Sequence, residues 1–143
     1  MRKLALGLGL VLTLTLGLAG PALAQEAPSM LYAVDLATGE ATEIGVVGGG
    51  ADVIGLAAAS DSDLIYGVTT DNRLVAITAA TPGSLKLNLQ ISGLTPGVEI
   101  IGIDVRPATG ELFGIGNDSV VYVLDVASGA ATAVGTGIDP VID

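Results

Sequence analysis

Apolar residues are distributed along this chain in two regimes. From Leu4 to Leu18 they run without a break, Thr13 and Thr15 being the only polar members. From about residue 30 onward they come in short runs of Val, Ile and Leu, separated by Gly, Asp, Asn, Ser, Thr and Pro. Short β-branched runs bounded by turn formers predict strands. They fall at roughly 52–59, 64–70, 73–79 and 85–91, and again at roughly 99–106, 111–116, 119–126 and 130–135. The turns between them are chemically apt. Ala37-Thr38-Gly39, Ala108-Thr109-Gly110 and Ala127-Ser128-Gly129 repeat one device, in which glycine supplies the positive φ of a tight hairpin. Asp71-Asn72 and Asn117-Asp118 mark a second kind of hairpin. Ala80 to Ser84 forms a longer loop, and Leu94 to Gly97 connects the two sets of strands.

The two sets are copies. YAVDLATGEATEIG (Tyr32 to Gly45) matches YVLDVASGAATAVG (Tyr122 to Gly135) at seven of fourteen positions, with an offset of 90. Ile54 to Ile77 aligns with Ile101 to Leu124 at an offset of 47, placing Gly55 on Gly102, Tyr66 on Phe113, Gly67 on Gly114 and Asp71 on Asp118. One unit of about that length is therefore repeated. The aromatics pair across copies, Tyr66 with Phe113 and Tyr32 with Tyr122, as bulky core residues of matched strands would.

Four-stranded units of this size predict an all-β, antiparallel, β-propeller-like architecture. Residues 25–143 form the repeat domain, divided into a leading half-blade at 30–47, a blade at 52–91 and a blade at 99–135. About two and a half blades fall short of the roughly four that close a ring. The expectation is a partial arc with exposed edges, an edge-paired oligomer, or part of a longer propeller. Unprotected strand edges are a liability, which disfavours the open monomer.

The first regime adds an address. Arg2 and Lys3, the apolar run, the helix-breaking Gly20-Pro21 and the small residues of Ala22-Leu23-Ala24 follow the order of a secretory signal. Residues 1–24 are expected to be removed, leaving a periplasmic or extracellular protein that starts near Gln25. The apolar run is shorter than the roughly 20 residues that span a bilayer. Removal leaves Arg73, Lys86 and Arg106 as the cations against 15 acids. So acidic a surface repels phosphate backbones and anionic lipid, which excludes nucleic-acid partners and stable membrane insertion. The absence of cysteine excludes disulfides, so the fold relies on its apolar core.

Two elements carry a family resemblance. YGVTTDNRLVAITAATPG (Tyr66 to Gly83) and GIDVRPATGELFGIGNDSVVYVLDVASGAATAVG (Gly102 to Gly135) resemble the bacterial secreted domain of unknown function four-three-nine-four, most distinctively in the DNRL and RPATG-x-L-[YF]-G-[IL]-G strings. The resemblance covers about 31 to 135. It implies a β-propeller-like fold and an extracytoplasmic location, and it implies no enzymatic activity. Members of that family usually continue through further strands, so the resemblance also implies truncation on the C-terminal side.

Chemistry is limited by what is missing. Without His or Cys there is no Ser-His-Asp triad, no Cys-His dyad, and no imidazole or thiolate metal site. Gly45 to Gly50 (GVVGGG) lacks the Lys and helix of a P-loop and reads as an inter-blade turn. Two chemistries survive. A glycosidase-type carboxylate pair would draw on Asp104, Glu99 and Glu111, though the chain has no Trp to serve as a sugar platform. Calcium would draw on Asp61 and Asp63 around Ser62, and on Asp71 and Asp118 in matched hairpins. The simpler reading of these acids, and of Asp35 and Asp125, is that each caps its own turn. Arg73 and Arg106 are candidates for anion recognition, with a structural ion pair the simpler alternative.

The resulting expectation is a non-catalytic extracytoplasmic binding module, needing no cofactor unless calcium, whose ligand is an unidentified protein or small molecule. The alternative is a carboxylate-dependent hydrolase, supported by calcium, that acts on carbohydrate or lactone. Self-association through edge strands is a third role.

Overall fold

The computed structural model describes residues 28–137. The signal segment at 1–24 lies outside the described residues. The described residues are all-β, with ten strands: β1 (Met30–Val34), β2 (Ala41–Val46), β3 (Val53–Ala58), β4 (Leu64–Thr69), β5 (Arg73–Thr78), β6 (Leu87–Gln90), β7 (Ile100–Val105), β8 (Leu112–Gly116), β9 (Val121–Leu124) and β10 (Ala131–Val134). The eight strands expected in the two repeats are all present, each trimmed by one to a few residues. Every ladder is antiparallel and joins sequence neighbours. β3 to β6 form one four-stranded sheet, the first unit, and β7 to β10 form another, the second unit. β1 and β2 form a two-stranded half-unit.

The sheets stack face to face, with β3 of the first unit beside β7 of the second. Side chains alternate along a strand, so each unit has a near face toward the preceding unit and a far face toward the following one. The far face of the first unit presents Ala57, Val68 and Leu74, with Tyr66 packed beside them. It buries against Ile100, Leu112, Tyr122 and Leu124 on the near face of the second unit. Leu31 and Val47 of the leading segment cover Ile77, Val53 and Ile65 on the near face of the first unit.

Among the described residues the first unit is thus covered on both sides and the second on one. The matched strands β5 and β9 record the difference. From Leu74 to Thr78, β5 is buried at every position. In β9 only Tyr122 and Leu124 are buried, alternating with half-buried Val121 and Val123. A strand covered on both faces calls for a continuous apolar run, which Leu74-Val75-Ala76-Ile77 supplies.

Two further links hold the stack. Ser92 forms a parallel bridge to Ala130, with Ser92 N–H on Gly129 O at 3.0 Å and Ala131 N–H on Ser92 O at 2.8 Å. Asn72, held at φ 56° in the β4–β5 turn, reaches into the next unit. Its amide nitrogen donates to Val98 O at 2.9 Å, and its amide oxygen accepts from Ile100 N–H at 2.9 Å. The glycine of the repeated turn shows how position changes a shared device. Gly39 (φ 77°) has open space where a Cβ would go, whereas a Cβ on Gly129 (φ 78°) would sit 2.6 Å from Gln90 O. Only the second docks against a neighbouring unit.

Of the paired aromatics, Tyr122 is core at 3% exposure, and Tyr66 and Phe113 are half-buried. Tyr32 departs from its expected core role, being 48% exposed. It lies on the near face of the half-unit, before which no described sheet stands.

Candidate functional site

A cleft of about 310 Å³ opens between the Gly48–Asp52 segment and the near face of the first unit. Its walls include Thr69, Thr70, Asp71, Arg73 and Asn88, with Asp52 opposite. The sequence explains why it is there. At the repeat offset of 47, Val75 stands where the second unit has Tyr122. In the second unit that phenol fills the space and donates to Asp118 Oδ2 at 2.8 Å. This hydrogen bond, burial and the carboxylate's charge raise the Tyr122 pKa above its ordinary value. In the first unit Val75 is shorter, and Thr69, at the position of Gly116, brings its hydroxyl to Asp71 in place of the phenol.

Arg73 is the cation of this cleft. Its Nε donates to Asn88 Oδ1 at 2.5 Å, one Nη to Gln90 Oε1 at 3.3 Å, and the other to Asn88 O at 3.4 Å. The expected ion pair is not formed here; among the described residues its partners are neutral amides. Three of its five N–H donors are used. Gln90 is itself anchored, donating to Asn72 O at 3.0 Å and Asp71 O at 3.3 Å. Across the cleft, Thr70 Oγ1 donates to Asp52 Oδ2 at 3.3 Å. Asp71 Oδ1 accepts from Thr69 Oγ1 at 2.5 Å. The walls of one cleft thus carry a guanidinium and two carboxylates.

The other candidates are dispersed. Asp61 and Asp63 lie exposed in the bend between β3 and β4. Asp118 accepts from Val120 N–H at 3.1 Å as well as from Tyr122, so its carboxylate is engaged within its own hairpin. Asp71 and Asp118 belong to different units, and the structure does not bring them together. Among the described residues no group of three or more acids is placed to hold a metal ion. Arg106 is exposed, and its backbone closes the Arg106–Gly110 turn through Gly110 N–H on Arg106 O at 2.8 Å. Asp35 and Asp125 cap their turns, accepting from Ala37 N–H at 2.7 Å and Ala127 N–H at 2.8 Å. Bonds from Ala127 and Ser128 hold the Asp125 carboxyl below the usual carboxylate range.

Of the carboxylate-pair residues, Glu99 and Asp104 are separated, whereas Glu111, whose carbonyl accepts from Arg106 N–H, stands diagonally across the β7–β8 hairpin from Asp104. Glu99 precedes β7 and Asp104 lies near its far end, about 17 Å apart at a strand's rise. Glycosidase pairs need roughly 5–10 Å. Glu111 accepts from Thr109 Oγ1 at 2.8 Å inside its turn.

Sequence reasoning singled out Asp71 and Arg73 but missed Asn88 and Asp52, their neighbours in the cleft. The signal that pointed to a different lining here is a paired change between copies, Thr69 and Val75 against Gly116 and Tyr122.

The profile of a family described as a domain of unknown function, DUF4394, matches residues 61–143. The chain belongs to this family. The match covers all of the first unit beyond β3 and the whole second unit, including the hairpin that carries Asp71 and Arg73. A comparison with curated proteins returns no match. Among solved structures, BamB from Moraxella catarrhalis is similar at 15% sequence identity with a TM-score of 0.45. That similarity covers 62% of this chain and 26% of the BamB chain, so the present chain spans about a quarter of that protein. Among the described residues no helix is long and apolar enough to cross a membrane.

Proposed function

We propose that this family member is a non-catalytic binding module that works outside the cytoplasm and holds a small polyhydroxylated ligand in the Arg73 cleft. The observation that carries the reading is the polar lining of this cleft, in which Arg73, Asn88, Thr70, Asp71 and Asp52 surround about 310 Å³. A sugar hydroxyl both donates and accepts. It is matched by unused N–H groups of Arg73 beside the carboxylates of Asp52 and Asp71. The absence of Trp removes the stacking platform that strengthens sugar binding, so affinity in the millimolar range is expected. Extracytoplasmic work is supported by the signal pattern at 1–24. Glu99 and Asp104 are too far apart for a glycosidase pair, and the Glu111 carboxylate is engaged by Thr109 Oγ1 in its own turn, which supports binding over glycoside hydrolysis.

The test is a titration of the chain from Gln25 with a panel of mono- and oligosaccharides, read by amide NMR. Saturable shifts confined to Thr69–Arg73, Asn88 and Gly48–Asp52 are expected. Val75→Tyr, which adds bulk to the cleft wall, and Arg73→Gln should each weaken them at least tenfold. Shifts that survive Val75→Tyr, or none with any sugar, would remove the cleft from the account. Turnover abolished by Asp104→Asn would make the protein an enzyme.

A further inference from the structure

The interface between the two full units is built from two faces, and a version of each lies elsewhere with no described residue covering it. On the far face of the first unit, Val68, Leu74 and Ala76 are fully buried. Their counterparts at the offset of 47 are Ile115, Val121 and Val123 on the far face of the second unit, all partly exposed. On the near face of the second unit, Tyr122 and Leu124 are each 3% exposed. Their counterparts at the offset of 90 are Tyr32 and Val34 on the half-unit, exposed at 48% and 56%.

We propose that two copies of the chain associate head to tail, the near face of one half-unit seating on the far face of the other copy's second unit. The contact would reproduce, between chains, the packing already present within the chain. One residue selects a half-unit as the occupant over a full one. Asp104 stands on this far face where the first unit has Ala57, which is 5% exposed beneath the second unit. A full unit would bury the Asp104 carboxylate without a partner, at high cost. The half-unit lacks strands of the β3 and β4 type, so it covers Val121 and Val123 and leaves Asp104 in water. Because the two faces differ, the contact is heterologous, and it forms a closed body only if the rotation closes. The described residues of two copies, joined at both ends, supply roughly six unit positions, within the range of about four to eight that closed propellers use. This proposal does not depend on the cleft.

Both apolar clusters are built wholly between Leu31 and Ala131, so the chain from Gln25 carries its entire described core. Sedimentation velocity of that chain is expected to show a concentration-dependent dimer. The dimer should strengthen between about 0.15 and 0.5 M NaCl, as salt screens the repulsion of two acidic copies. Val123→Glu on the far face and Tyr32→Glu on the near face should each give monomers. Their mixture should associate again, since each variant keeps the face the other has lost. Thermal unfolding of each variant confirms that the fold is kept, and Val34→Glu serves in place of Tyr32→Glu if it is not. A monomer at every concentration overturns the proposal. So does a Tyr32→Glu variant that still dimerises by itself, because that requires two identical faces to meet.

Discussion

Replacing Leu74 by Ala is expected to destabilise the domain by about 3–4 kcal/mol, whereas Val121→Ala, the matched position one unit later, should cost about 1 kcal/mol or less. Leu74 is fully buried between the units, and its removal leaves a cavity among Val68, Ile100 and Leu124 that the stacked sheets cannot collapse into. Val121 is half-buried on a face that no described residue covers, so its truncation removes fewer contacts. Thermal unfolding read by far-ultraviolet circular dichroism would register the first as a drop in Tm of roughly 10 °C or more. Equal losses at the two positions would mean that the second unit's far face is as well packed as the first's.

Asn72→Ala is expected to cost about 2–4 kcal/mol although the side chain sits in a turn. Its amide satisfies the backbone of Ile100, a residue with no exposure, and of Val98, so truncation strands a buried N–H group. The variant Asn72→Gly separates two effects. Glycine accepts φ 56° more readily than asparagine yet lacks the amide. A link between units makes Asn72→Gly nearly as damaging as Asn72→Ala. A role confined to the turn leaves Asn72→Gly close to wild type. The matched residue in the second unit, Ser119, has the same backbone setting at φ 63° but is too short to make such a bridge.

These two residues also show what the sequence made legible. The strands could be placed because Val, Ile and Leu crowd them and because two copies of the pattern cross-check each other. Asp35 and Asp125 could be read as caps because the partners of a cap lie two residues away. The bridging role of Asn72 could not be read, since an asparagine in a turn has the same local appearance whether its amide faces water or the next unit. Its partners Val98 and Ile100 are 26 and 28 residues away. The neutral partners of Arg73 were hidden for the same reason, because the β5–β6 register brings Asn88 and Gln90 beside it. Tyr32 misled because its repeat mate is core. Burial depends on which unit stands on either side, and the copies differ in that respect.

Among the described residues the first unit is covered on both faces and the second on one. Amide hydrogen exchange of dilute, monomeric protein tests it most directly, because β5 and β9 are both interior strands, each paired on both edges. Their ladders are alike, so a difference in protection reports face coverage. Exchange in Leu74–Thr78 is expected to be the slowest in the domain, and at least roughly tenfold slower than in Val121–Leu124. Equal protection in the two strands, or slower exchange in β9, would contradict the claim.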